Sequence, residues 1–317
     1  MHKDYEVVVT SEKDVRIAEA YAKEISEEVY VIVSELSTNV LKHSKDGKGT
    51  LQMSNTSEYI HIKLTNEGSL NTTHFIDGKT TISDSLGIGL GAVGRLSDEL
   101  TYSSDNGLVE INVKKYLKEG CKFQTACLSY AKVGLEDFNG DTFVKVDKKN
   151  SVLLGVVDIL GHGKVAHKSA IAVKRFIEHN NYLDLEELIY ELHNHLKGEG
   201  LRGGMVALAR INTVEKILEF CGIGDSSIRI FAENSTSLLT ADGVVGETLR
   251  RKLIKQKVDL PEKAIISLFT DGISSRIEIP YNLMNSDLLK LVHLLMEKYA
   301  RDDDRTLMLA RLDDIYY

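Results

Sequence analysis

The sequence predicts an α+β protein of two domains, an α/β sandwich followed by a β-sandwich flanked by helices. Three observations carry this reading. At 317 residues the chain is long enough for two domains that each bury a core. Its first third sets one extended helical pattern among strand patterns. The remainder is a succession of short strand patterns interrupted by three helical ones, as expected of layered sheets.

Residues 5–9 alternate as a strand does. From residue 14 to about 43, Val15, Ile17, Ala18, Ala22 and Ile25, then Val29, Val31, Ile32, Leu36, Val40 and Leu41, recur at helical spacing. Strand-like runs follow at 49–53 and 59–65. The Gly, Thr and Ser-rich stretch 66–85 reads as a mobile loop. Residues 86–100 open on glycines and become a helix, and 108–114 close the first domain as a strand. In the second domain, strand patterns occupy 123–130, 142–146, 151–157, 204–211, 217–222, 227–231, 264–269 and 306–312. Helical patterns occupy 167–179, 183–196 and 287–299. The join at 114–120 is short and charged, so the two domains, 1–118 and 119–317, are expected in fixed contact.

Composition narrows the function. Apolar residues make up 43% and charged residues 27%, an ordinary globular balance. A formal charge of −8 disfavours the basic face that nucleic acid requires. The longest apolar runs are strand-length, short of the ~20 residues that span a bilayer, so no membrane partner is expected. The first residues carry no signal pattern. Cys121, Cys127 and Cys221 are odd in number and lack metal spacing, and are expected as buried thiols. Together these predict a cytoplasmic protein.

Four aspartates stand at the ends of strand patterns in the second domain. Asp141 follows Asn139-Gly140. Asp158 closes the run 152–157 and leads into Ile159-Leu160-Gly161-His162-Gly163. Asp271 follows the run 265–270 and precedes Gly272. Asp303 lies in the trio Asp302-Asp303-Asp304 before the last strand. A carboxylate at the end of a buried strand is rigidly aimed, and a neighbouring glycine permits close approach. Each aspartate alone would be an ordinary turn residue. Four converging at one end of a sandwich suit hard divalent ions, Mg²⁺ or Mn²⁺, and a pair of ions can acidify water and hold a phosphoryl group. His162 is either a proton carrier near neutral pH or a plain turn histidine.

The segments Asn139-Gly140-Asp141, Asp158 through Gly163, Thr270-Asp271-Gly272-Ile273 and Asp303-Asp304-Arg305-Thr306 resemble the metal-dependent phosphatases of the stage II sporulation protein E type, most of all the RsbX-like stressosome phosphatases. Gly203-Gly204-Met205-Val206-Ala207 and Gly222-Ile223-Gly224-Asp225 are similar to that group's strand and turn segments. The resemblance covers roughly 123–312. It implies an αββα phosphatase sandwich, two Mn²⁺ or Mg²⁺ ions, and a phosphoserine or phosphothreonine protein as substrate. Asp141 and Asp158 would be catalytic and flank both ions, with Asp271 and Asp303 holding one ion each. Ile159 stands where the family has glycine, and its backbone carbonyl would be a further metal ligand.

In the first domain Glu35, Asn39 and His43 recur every four residues, on one helix face. A carboxylate can take a proton there and an amide oxygen can bind Mg²⁺. Alternate glycines at Gly87, Gly89 and Gly91 can let a backbone approach phosphates at the start of a helix. The two segments together resemble a GHKL ATPase domain of the RsbT-like and anti-sigma-factor serine kinase type, over about 6–114. The resemblance implies ATP with Mg²⁺. Glu35 would be the general base, Asn39 the Mg²⁺ ligand, His43 a nucleotide-site residue, and Gly87, Gly89 and Gly91 phosphate neighbours. Asn66 and Gly68 occupy the family's Asp-x-Gly box. Together the two resemblances imply a partner-switching regulator in a stress response. It would dephosphorylate a STAS-domain antagonist and either phosphorylate the same partner class or only bind it, sequestering a sigma factor or antagonist. Pairing as a homodimer is also within the kinase family's habits.

Overall fold

Alternation along the strands sorts apolar side chains onto opposite faces, and the alternation builds three buried layers. The computed structural model describes residues 3–56, 59–68, 89–105, 107–116, 122–135, 137–148 and 150–313. The first half runs β1 (Lys3–Val9), α1 (Glu12–Lys23), α2 (Glu27–His43), β2 (Gly49–Asn55), β3 (Tyr59–Glu67), α3 (Gly89–Leu96), β4 (Glu99–Asp105) and β5 (Leu108–Tyr116). The second half runs β6 (Lys122–Tyr130), β7 (Asp141–Lys148), β8 (Ser151–Ile159), α4 (Lys164–His179), α5 (Leu185–Gly198), β9 (Gly204–Asn212), β10 (Ile217–Ile223) and β11 (Ser227–Phe231). It ends with β12 (Thr236–Leu238), β13 (Lys255–Asp259), β14 (Ile265–Phe269), α6 (Leu288–Tyr299) and β15 (Arg305–Asp313). Among the described residues no helix is long and apolar enough to cross a membrane.

The strands form two sheets. One has ten strands in the order β1-β2-β3-β5-β4-β6-β15-β14-β11-β12, and the other has five in the order β13-β10-β9-β8-β7. β15 shows why its centre, Leu307 to Ala310, is apolar on both faces. Leu307 and Leu309 face one layer, shared with α6, while Met308, Ala310 and Leu312 face the layer between the sheets. A strand covered on both faces has no position left for water. β8 does the same with Val152, Leu154 and Val156 inward between the sheets, and Leu153, Val157 and Ile159 toward α4 and α5. The second half is thus helix, sheet, sheet, helix.

The two halves share one sheet. β4 pairs β6 in parallel, from Glu99 opposite Thr125 to Ser103 opposite Ser129. The apolar layer over α1 and α2 runs on without a break to α6. A buried ion network spans the same junction: Lys145 meets Glu99 at 2.5 Å and Asp147 at 2.7 Å, and Lys114 meets Glu99 at 3.5 Å and Asp147 at 3.0 Å. The boundary expected at 118/119, Gly120 and Cys121 lie outside the described residues, as does nearly all of the loop expected over 66–85. Cys127 and Cys221 are buried thiols.

Three sequence expectations change. The helical stretch 14–43 is two helices, because Ser26 turns extended and its Oγ accepts the Val29 N–H at 3.1 Å, starting α2 afresh. The helix expected through residue 100 stops at Leu96, and Glu99 opens a strand whose polar side chains alternate with buried Leu100 and Tyr102. β13 is a charged edge strand, Lys-Gln-Lys-Val-Asp, with too little apolar content to register as one.

Candidate metal centre

Asp141 opens β7 and Asp158 stands one residue before the end of β8, and the antiparallel register sets them directly opposite each other. Like charges facing across a ladder destabilise a sheet. Burial compounds the cost: Asp141 is 4% exposed. Burial first, then the facing Asp158, hold the Asp141 carboxyl well above the ordinary carboxylate range. Asp158 is pushed up to about 7, by burial and then by Asp271, Asp303, Asp304 and Asp225. Asp271 is raised by burial and then by Asp303. The fold has concentrated acid here, and among the described residues Arg301 relieves Asp271 only in part.

Hydrogen bonds position the group. The Thr270 hydroxyl donates to Asp141 Oδ2 at 2.5 Å, and the Thr306 N–H donates to the Thr270 oxygen at 2.9 Å, joining the ends of β7, β14 and β15. Asp141 Oδ1 is buried with no hydrogen-bond partner among the described residues. The Asn139 side-chain oxygen accepts the Asp141 N–H at 2.9 Å. Gly272 lets the loop after β14 touch the loop before β15: a Cβ there would stand 2.0 Å from the Asp304 carbonyl oxygen. Asp271 is thereby brought to the exposed rim beside Asp303.

The other predicted residues separate into several roles. Asp303 faces Asp158 and Asp271, whose carboxyls it raises. Its neighbour Asp304, which sequence reasoning did not single out, is buried and staples two loops, accepting the Lys132 N–H at 2.7 Å and the Gly140 N–H at 2.8 Å. Asp225, at the turn after β10, is a further carboxylate acting on Asp158 and Asp271. The signal for it was its place in Gly224-Asp225 after an apolar strand. Ile159 buries its side chain against α4 and α5 while its backbone continues β8, so β-branching is no obstacle to presenting its carbonyl. His162 is exposed, between the left-handed Gly161 and Gly163.

The donor set is all oxygen, with one carboxylate oxygen orphaned in the interior, which fits hard divalent cations. Among the described residues no three His, Cys, Asp or Glu side chains enclose an ion by themselves. Mg²⁺ is usually held by one or two carboxylates and keeps several waters, so a closed protein cage is not what such an ion needs.

In the first half, Glu35 is half-buried on α2 and its carboxyl is raised, chiefly by burial. Asn39 Nδ2 on the same helix is buried without a partner among the described residues, and so is Asn66 Oδ1 on β3. His43 is exposed at the end of α2, and Gly68 has φ +142°. Gly89 and Gly91 lie in α3, while Gly87 falls outside the described residues. A cavity of about 920 Å³ opens away from these first-half residues, between β3, β5, β7 and α4, and reaches Asn139 and Asp141. Lys63 and Glu110, on neighbouring strands of its wall, pair at 2.6 Å.

A family model for Stage II sporulation protein E (SpoIIE) matches residues 148–313, more than half of the chain. The chain belongs to the SpoIIE family. It is 24% identical over 201 residues to phosphoserine phosphatase RsbX of Bacillus subtilis (strain 168), covering 62% of this chain and 98% of that one. Among solved structures, a chain from a bacterial stressosome system adapted to control secondary messenger signalling aligns with TM-score 0.56 and 26% identity, over 60% of this chain and 100% of that one. RsbX in complex with magnesium shares the fold at TM-score 0.54 and 22% identity, over 62% and 98%. The PP2C phosphatase domain of Bacillus subtilis SpoIIE with a fragment of its regulatory domain aligns over 95% of this chain and 93% of its own, at TM-score 0.51 and 15% identity.

Proposed function

We propose that this chain is a protein serine/threonine phosphatase dependent on Mn²⁺ or Mg²⁺, acting on a phosphorylated STAS-domain antagonist in a partner-switching system. The observation that carries the reading is the face-to-face pair of buried Asp141 and half-buried Asp158, whose carboxyls are raised and form no ion pair among the described residues. Family membership supports the same chemistry, as does likeness to a phosphoserine phosphatase matched along almost its whole length. Magnesium in the structure of RsbX supports the cofactor class.

On this reading Asp141, Asp158 and the Ile159 carbonyl would hold the pair of ions, with Asp271 and Asp303 each a ligand for one of them. When bound, the ions supply positive charge for the phosphoryl oxygens and acidify a water. The chain's own groups do the rest. Thr270 holds Oδ2 of Asp141 so that Oδ1 stays aimed inward. The Asp304 staple keeps the loops bearing Lys132 and Gly140 at fixed spacing. Water oxygen bonds to phosphorus and gives up one proton to solvent, the bond from phosphorus to the serine or threonine oxygen breaks, and that oxygen takes up a proton, for which exposed His162 is the candidate donor. The test is release of phosphate from a phosphorylated STAS protein in Mn²⁺, followed by phosphate-retention gel. Wild type is expected to dephosphorylate it, and Asp158→Asn and Asp271→Asn to be inactive but folded. Undiminished turnover in either variant contradicts the assignment.

A second reading concerns the first half, taken as residues 1–118 of a two-domain chain. Raised Glu35 and the unpartnered polar atoms of Asn39 and Asn66 favour a GHKL-type site for Mg·ATP. Alignment of both halves with a phosphatase plus part of a regulatory domain favours instead a non-catalytic binding module. Calorimetry with Mg·ATP and labelled-phosphate transfer separate them: transfer lost in Glu35→Ala supports a kinase, and no transfer by wild type supports the module.

A further inference from the structure

Three arginines border the acid cluster without a carboxylate at ion-pair distance among the described residues; Arg305 lies with its Nη1 on the Asp303 carbonyl at 3.4 Å and its guanidinium over the Tyr130 ring. Arg301 serves the loop of Asp271: its Nη1 donates to the Asp271 carbonyl at 3.2 Å and its N–H to the Gly272 carbonyl at 2.8 Å. Arg202 is different. It precedes β9, which lies beside the Asp158 end of β8, Asp158 facing Met205 and Ile159 facing Gly204. Its N–H donates to Ser169 Oγ at 3.0 Å, fixing its backbone to α4. Its Nη1 donates to the Leu160 carbonyl at 3.1 Å, and the Leu160 N–H returns a bond to the Gly203 carbonyl at 3.0 Å.

The guanidinium therefore stands over the turn that follows Asp158 and Ile159. Gly161 makes room for it: φ is +74°, and a Cβ there would lie 2.6 Å from Nη1. One donor of the fork is used on a neutral carbonyl, and the rest of the exposed head meets no protein group among the described residues. A guanidinium engaged with one of the nearby aspartates would be neutralised and turned away. This one keeps a planar set of donors, the geometry that takes two oxygens of a phosphate.

We propose that Arg202 binds the phosphoryl oxygens of the phosphoserine or phosphothreonine substrate, orienting the group at the acid cluster. This rests on the phosphatase reading of that cluster. The probe is inorganic phosphate titrated calorimetrically into the full chain saturated with Mn²⁺, alongside separate Mn²⁺ titrations, for wild type, Arg202→Ala and Arg202→Lys. Loss of charge-assisted hydrogen bonds lowers phosphate affinity by roughly 10- to 100-fold in Arg202→Ala. Arg202→Lys, which keeps the charge without the fork, falls between, and Mn²⁺ affinity stays at the wild-type value in both. In turnover, KM for the phosphoprotein rises more than kcat falls. Wild-type phosphate affinity in Arg202→Ala overturns the proposal while leaving the phosphatase reading intact. Parallel loss of Mn²⁺ and phosphate binding also overturns it, making Arg202 a staple of the turn only. A wild-type chain that neither binds phosphate nor hydrolyses the phosphoprotein overturns both.

Discussion

Replacing Asp158 by asparagine is expected to make the metal-free chain more stable while removing its response to Mn²⁺. Folding moves this carboxyl from an ordinary value near 3.8 to about 7. The folded state therefore binds the proton more readily than the unfolded state, and stability falls as pH rises through that window. Three units correspond to about 4 kcal/mol held against the fold at neutral pH. Asparagine keeps the shape and drops the charge, but its amide must still be buried, so roughly half of that, ~2 kcal/mol, is expected back. For a chain of this size ~2 kcal/mol is several degrees in Tm. The assay is thermal unfolding of both proteins in EDTA at pH 7.5 and at pH 4.5, then in Mn²⁺ at pH 7.5. The variant should unfold at the higher temperature in EDTA at pH 7.5, by a margin that shrinks at pH 4.5. Mn²⁺ should raise the Tm of wild type alone. A variant less stable than wild type in EDTA at pH 7.5, with an undiminished Mn²⁺ shift, would refute the reasoning.

Thr270→Val removes the hydroxyl that holds Asp141 Oδ2. Groups that orient a metal ligand are worth about 10- to 100-fold in metal affinity, so Mn²⁺ titration should weaken by that range, and equal affinity would deny Thr270 a positioning role. His293 is buried on α6 and its imidazole is pushed down to about 4 by burial. The unfolded chain takes the proton near 6.5 and the folded chain only near 4, so this group costs up to about 3 kcal/mol as pH falls through that window. His293→Gln should flatten the loss of stability between pH 7 and pH 4 in urea titrations, and an unchanged profile would count against it.

How much of this was legible depends on how local each cause is. Asp158 and Asp271 announce themselves because each closes an apolar run shortly before a glycine, and Asp141 because it follows Gly140 at the start of a strand pattern, signals contained in a few residues. That Asp141 faces Asp158 requires only the β7–β8 register, set by a hairpin. Asp304 could not be found that way: its partners, the N–H groups of Lys132 and Gly140, are 172 and 164 residues distant. Nor could the merging of two halves into one sheet, since the parallel pairing of β4 with β6 leaves no periodic trace in either strand. β4 itself was hidden by its polar face, and the break between α1 and α2 by apolar spacing that continues across Ser26.

Crystals grown with Mn²⁺ and measured at the manganese absorption edge test the central claim most directly. Two anomalous peaks are expected at the acid cluster, both within coordination distance of Asp141 or Asp158, with Asp271 and Asp303 each at one of them. Full-occupancy Mn²⁺ bound elsewhere, with no peak between Asp141 and Asp158, would contradict it.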